Sequence, residues 1–310
     1  MTEDRVGGRI EFTGLIRTGV PAGCGSVPVE PGIDKITKRR PWATRPHFRS
    51  PGAGATFAAM TDLPVLVVSD VHLGGIPPDR EFRFRSWLEE AASRTGHLVI
   101  NGDLFDFWFE YRSVIPRGYT RTLAILAHMV DAGIRIDFLG GNHDWWGGSF
   151  LEDEIGVHFH REPVRLDLAG RTALVAHGDG LGQGDLGYRI LRHTLRSPFA
   201  QWGFRWIHPD VGAMIARRVS RTPTRDLSPP PPSAERVNAL ELWARDRLLE
   251  DDELDLVLLG HTHQPQQREV GPGRYYFNTG DWIHHCTWVE IAPGEAPRLR
   301  ALQEPESTSP

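Results

Sequence analysis

The chain is poor in cysteine: among 310 residues only Cys24 and Cys286 occur, far apart in sequence. Neither a disulfide framework nor a thiolate metal site follows from two such residues, and the scarcity suits a reducing compartment, the cytoplasm by default. Long apolar runs are missing as well. No stretch reaches the roughly 18 apolar residues that a membrane-spanning helix needs, so a transmembrane protein is not expected. Positive charge is not in excess either: the formal net charge is -5, which leaves no chain-wide cationic field to hold nucleic acid by counterion release. What the chain does have is 40% hydrophobic residues, enough for one large domain or two small ones, together with 14 His and 10 Trp. Metal sites use the first and interfaces the second, so their clustering is informative.

Residues 1–62 are rich in Gly, Pro and Arg without a sustained apolar period, which predicts a disordered extension, with Met60 a candidate start of the natural product. Beyond it, short apolar runs alternate with amphipathic stretches, as in α/β proteins. Strands are predicted at residues 65–68, 98–100, 134–139, 173–176, 256–259, 275–277 and 287–291, and helices at 82–92 and 123–130. These place a domain over residues 63–295. Within it, residues 186–250 lose the strand rhythm and read as a helical cap insertion, interrupted by the stiff prolines 229–232. Residues 296–310 read as a flexible tail.

Five short motifs follow predicted strands, where open α/β folds place ligand sites. In Ser69-Asp70-Val71-His72 a carboxylate and an imidazole at i and i+2 would project to one side of an extended segment and could share a cation. Asp103, after Gly102, would stand at the tip of a tight turn with two oxygens able to bridge two metals; a helix N-cap is the plainer alternative. Gly140-Gly141-Asn142-His143-Asp144 offers an amide oxygen, an imidazole and a carboxylate. His177 follows Ala176, and Gly260-His261-Thr262-His263 follows the run 256–259. A histidine taken singly is more often a core or surface residue than a ligand. Five such motifs in order make metal binding the better reading, and imidazole, carboxylate and amide without thiolate suit Mn, Fe or Zn.

The series Asp70-x-His72, Gly102-Asp103, Gly141-Asn142-His143-Asp144, His177 and Gly260-His261-Thr262-His263 resembles the complete signature of the calcineurin-like metallophosphoesterase superfamily. The resemblance implies an α/β double β-sheet sandwich flanked by helices, and a site for two divalent metal ions, often manganese. By motif, Asp70, His72 and His263 would hold one ion, Asn142, His177 and His261 the other, and Asp103 would bridge them. His143 would donate a hydrogen bond or proton to a substrate oxygen, with Asp144 orienting its ring. The implied activity is metal-dependent hydrolysis of a phosphoester or pyrophosphate.

Within the superfamily, residues 102–108, the stretch His177-Gly178-Asp179-Gly180-Leu181 with Asp185 and Tyr188, and residues 260–265 resemble the UDP-2,3-diacylglucosamine pyrophosphatases of lipid A synthesis, whose acyl-binding cap falls at the same place as the helical insertion. His143 stands where the better known members have Arg, and Asp106 where Glu is usual. Trp108, Asp185, Tyr188, Arg189 and Arg221 become candidate substrate-binding residues on this resemblance. The insertion also carries seven arginines between residues 189 and 221 against the single acid Asp210, interleaved with Phe199, Trp202 and Trp206. Such a surface suits an anionic membrane or an amphiphile with phosphate and acyl chains, though a helix packed on the body with solvated arginines has the same pattern. The expected partners are therefore a nucleotide-linked glycolipid or another phosphoester, and the inner face of the cytoplasmic membrane, with no nucleic acid. Hydrolysis of soluble nucleotides or phosphoproteins is the competing enzyme reading. A non-catalytic scaffold is less favoured, since every ligand position is filled.

Overall fold

The computed structural model describes residues 62–182, 186–220 and 233–303. The expected extension, but for Asp62, lies outside these residues, as do the prolines 229–232. The elements follow in chain order: β1 (Val65–Val68), α1 (Pro78–Ala91), β2 (His97–Asn101), α2 (Thr120–Asp131), β3 (Arg135–Leu139), a π-helical turn (Leu151–Ile155), β4 (His158–His160), β5 (Val164–Leu168), β6 (Arg171–Val175), α3 (Leu186–Leu195), α4 (Pro198–Phe204), α5 (Pro209–Ser220), α6 (Ala234–Glu250), β7 (Leu256–Leu259), β8 (Gln266–Gly271), β9 (Arg274–Asn278), β10 (Thr287–Ile291) and β11 (Arg298–Ala301). One sheet has the order β11-β10-β1-β2-β3-β4 and the other β5-β6-β7-β9-β8.

Strand alternation sorts the core into layers. Val65 and Val67 of β1, Val99 of β2 and Val289 of β10 meet Leu166, Val175, Leu258 and Phe277 of the other sheet, making the core of a sandwich. Leu66 and Val68 face the opposite way, into a cluster with Phe84, Trp87 and Leu88 of α1 and with Leu123, Leu126 and Met129 of α2. Val257 and Leu259 of β7 pack on Leu240, Ala244 and Leu248 of α6 across the outer face of the second sheet. The architecture is thus the α/β double sandwich with flanking helices. β1, β2 and β3 pair in parallel, as do β6, β7 and β9, and covered parallel strands read as continuous apolar runs, which is why the sequence announces them.

Three expectations are corrected. The insertion is shorter than residues 186–250, because α6 buries Val237, Leu240, Ala244 and Leu248 and belongs to the body; only α3, α4 and α5 remain as cap. Residues 298–301 are not part of a flexible tail: β11 pairs antiparallel with β10, and Leu302 N–H donates to the Cys286 carbonyl. Helix α1 begins four residues early, at Pro78, whose fixed φ suits the first turn and carries no apolar signal. Strands β4, β5 and β8 were not anticipated either; β8 is an edge strand of Gln, Arg and Glu held by its backbone bonds to β9.

Candidate metal centre

Each sequence motif follows the C-terminal end of a parallel strand: β1, β2 and β3 in one sheet, β6 and β7 in the other. Backbone bonds tie these loops together. Asp70 N–H donates to Gly102 O (3.1 Å), Val71 and His72 N–H to Asp103 O (2.8 and 3.0 Å), and Gly260 N–H to His177 O (2.8 Å). The loops also curl sharply. Asp70, His72, Asp103, His261 and His263 all have φ between 52° and 68°, five of the seven non-glycine residues in the left-handed region among the described residues. Each such conformation costs about 1–2 kcal/mol, and its concentration in one cluster marks a functional site. The reading of Asp70 and His72 as neighbours on an extended segment is therefore corrected: the left-handed turns, not strand alternation, aim them inward. Glycine is required where a Cβ would collide, at Gly141 with the Asp103 carboxylate and at Gly102 with the His177 ring.

The side chains converge. His263 Nε2 lies 3.3 Å from Asp70 Oδ1, and His72 Nε2 lies 4.0 Å from the same atom and 3.8 Å from Asp103 Oδ2. Asp103 Oδ2 is also 3.2 Å from His177 Nε2 and 4.0 Å from His143 Nε2. On the far side, His261 Nδ1 meets Asn142 Oδ1 at 3.0 Å. Three ligand atoms within 4.8 Å of one another come from Asp70, His72 and His263, from Asp70, Asp103 and His177, and from His72, Asp103 and His143. The donor set fits divalent cations on a direct observation: both ring nitrogens of His72 and Nε2 of His177 are buried without a hydrogen bond. Leaving such atoms unsatisfied costs about 1–3 kcal/mol each, which a cation would offset. His177 Nδ1 is committed to the Asn101 carbonyl at 2.8 Å, which fixes the tautomer and turns the Nε2 lone pair toward Asp103.

Electrostatics divides the cluster: burial lowers His72 and His261 toward the neutral form, whereas at His177 and His263 burial is overcome by neighbouring carboxylates, which raise both and whose hold on those protons a bound cation would displace. Burial alone would raise Asp103, but the neighbouring His177 and His143 hold it well below the usual carboxylate range. Burial opposes protonation of His177, yet Asp103 pushes it well above the usual value. His72 is lowered by burial, and His261 is held well below its usual value by burial and by His177. Neutral imidazoles are the form that ligates a metal.

The remaining expected residues do not join the cluster. The Asp144 carboxylate is fully buried and accepts from the backbone N–H groups of Leu104 and Gly141 (both 2.8 Å) and of Asp103 (3.2 Å). It braces two ligand loops; the His143 ring is oriented instead by the Asp106 carbonyl, 2.7 Å from Nδ1. Burial and the Asp103 charge push Asp144 up to about 7. Trp108 is completely buried, stacked on Phe105 with Nε1 donating to Glu110 (3.2 Å), so it is a core residue and not a substrate contact. Arg189 lies on the exposed cap and donates to the Gly182 carbonyl. Asp185, Arg221 and the Tyr188 side chain lie outside the described residues.

Two residues were missed. Asp281 is fully buried behind His263, 3.5 Å from its Nδ1 and 3.2 Å from His285 Nδ1. Burial would raise it, but His263 and His285 hold it well below its usual value. It follows the apolar run of β9 as the other motifs follow theirs, and that position was the available signal. The Asp106 carboxylate, 3.7 Å from His72 Nδ1 and 3.8 Å from His143 Nδ1, lies behind both rings.

A sandwich whose parallel strands deliver clustered carboxylates and imidazoles to one end defines a metal-dependent phosphoester hydrolase. Residues 63–265 match the family model described as calcineurin-like phosphoesterase, and the chain belongs to that family. Among curated proteins it is similar to the UDP-2,3-diacylglucosamine hydrolase of Porphyromonas gingivalis, 30% identical over 259 residues that cover 78% of this chain and 98% of that one. It is likewise similar to the proteins of that name from Pseudomonas aeruginosa, 30% identical over 73% of this chain and 94% of theirs, and from Salmonella typhi, 29% identical over 74% and 95%.

Proposed function

We propose that the protein hydrolyses the pyrophosphate bond of UDP-2,3-diacylglucosamine, adding water to release UMP and 2,3-diacylglucosamine 1-phosphate, at a membrane surface and with two divalent cations, manganese foremost. The observation that carries the reading is the likeness to relatives of that name over nearly their whole length, the cap region included. Asp70, His72 and His263 would hold one cation, Asn142, His177 and His261 the other, with Asp103 shared. Bound there, the cations would supply charge neutralisation at the phosphoryl oxygens and a nucleophile available at neutral pH. His143, held through Nδ1 by the Asp106 carbonyl, presents Nε2 on the side of Asp103 and would hydrogen-bond a phosphoryl or leaving oxygen.

The cap supports an amphiphilic substrate and a peripheral location. Phe199, Trp202 and Trp206 are 79%, 57% and 77% exposed, and their rings form a chain at about 6 Å spacing. Arg205, exposed at the C-cap of α4, stands in sequence between Trp202 and Trp206, a combination suited to anionic lipid. No helix among the described residues is long and apolar enough to cross a membrane. The test is incubation with UDP-2,3-diacylglucosamine and Mn2+ beside soluble phosphodiesters, reading UMP. Release of UMP from the lipid is expected; turnover of the soluble esters alone would overturn the substrate.

A further inference from the structure

Helix α3 is attached to the body in an unusual way. Its described apolar side chains, Ile190, Leu191 and Leu195, are exposed, whereas Arg192 and, one turn on and just past the helix end, Arg196 face the body. Both reach the same oxygen of Asp179: Arg196 Nη2 lies 2.7 Å from Oδ2 and Arg192 Nε 3.0 Å. Asp179 is almost completely buried and stands two residues after His177. The guanidinium of Arg196 also lies 4.9 Å from the centre of the Trp145 ring, and Trp146 Nε1 donates to the Leu195 carbonyl at 3.1 Å. The helix therefore spans the His177 loop and the loop of Asn142 and His143. Asp179, Arg192 and Arg196 line one small pocket with His177, and within it the Asp179 carboxylate is buried while both guanidiniums keep partial contact with solvent. By contrast α4 is anchored by aromatic packing, with the half-buried Phe204 against Phe107, Phe109 and Trp146.

We propose that Asp179, Arg192 and Arg196 form a latch of positioning residues that holds α3 against the metal loops, setting the affinity for a substrate long enough to reach the cap without taking part in hydrolysis. Its consequence for the lipid rests on the substrate reading above; the closure of α3 does not. The physical ground is that none of the described apolar side chains of α3 is buried, whereas one buried carboxylate accepts a charge-assisted hydrogen bond from Arg196 and pairs with Arg192.

The test uses the full chain with Arg192→Gln/Arg196→Gln, and Arg196→Lys as the conservative variant. Amide exchange over residues 186–196, manganese content, turnover of bis(p-nitrophenyl) phosphate, and KM and kcat on UDP-2,3-diacylglucosamine are read together. The double variant should exchange faster in α3, keep its manganese and its small-ester turnover, and show KM for the lipid raised about tenfold or more, the loss expected for a charge-assisted bond, with kcat little changed. Arg196→Lys should restore part of the KM. Unchanged exchange, or unchanged KM with faster exchange, overturns the latch, as does loss of manganese or of small-ester turnover, which would make the cluster structural to the centre. If the wild-type protein releases no UMP from the lipid, the substrate reading fails while exchange in α3 alone decides the latch.

Discussion

At the scale of the residue, His143 separates ligation from proton chemistry. Its Nε2 lies near Asp103 Oδ2 and could complete a cluster with His72, yet its Nδ1 is held by a backbone carbonyl in the manner of an oriented acid or donor. His143→Ala is expected to keep the full metal content, measured by atomic emission, while kcat falls about 10²- to 10⁴-fold, the usual span for a lost acid–base group. Loss of one metal per chain together with activity would make it a ligand. The neighbouring Asp144 shows how adjacency misleads: one step along the chain, its side chain turns into the core and accepts backbone donors from two loops.

At the scale of the element, β3 is fastened to its neighbours by the buried Asp137 as well as by the ladder. Its carboxylate accepts from His97 of β2 (2.7 Å), His160 of β4 (2.6 Å) and Arg135 of its own strand (2.7 Å). Burial would raise this carboxyl, but hydrogen bonds from His160, His97 and Arg135 hold it well below its usual range. A carboxyl depressed on folding contributes stability that is complete above the unfolded value, about 3.9, and is lost as pH falls toward the folded one. Urea midpoints should accordingly decline below about pH 4 in the wild type. Asp137→Asn should destabilise at pH 7 by about 1–3 kcal/mol, leaving donors imperfectly paired, and show a shallower acid decline. An equal acid decline in both proteins would assign it to other carboxylates.

At the scale of the whole molecule, charge is divided rather than spread. The formal -5 averages an acidic remainder over a cap that is strongly basic, so the total conceals a surface fitted to anions. The exposed aromatic chain on α4 and just beyond it adds an apolar edge to that charge. Binding to vesicles containing anionic lipid is expected in flotation assays, weakening with added salt and falling severalfold in Trp202→Ser/Trp206→Ser. Retention of the double variant on such vesicles would place membrane contact elsewhere.

Much of this was legible in the chain itself. Buried parallel strands such as β1 and β7 are continuous apolar runs because both faces are covered, and the motifs after them carry polar ligand types that a bare turn does not require. Edge strands such as β8 and β11 left no such trace, since backbone pairing holds them and their side chains meet water. Roles that depend on direction were decided only in three dimensions. Left-handed turns aim Asp70 and His72, Asp106 and Asp281 stand behind histidines far from them in sequence, and Trp108 and Asp144 point into the core. Residue type and order determine which chemistry the chain can perform, whereas side-chain direction is a property of packed loops, and no local pattern specifies it.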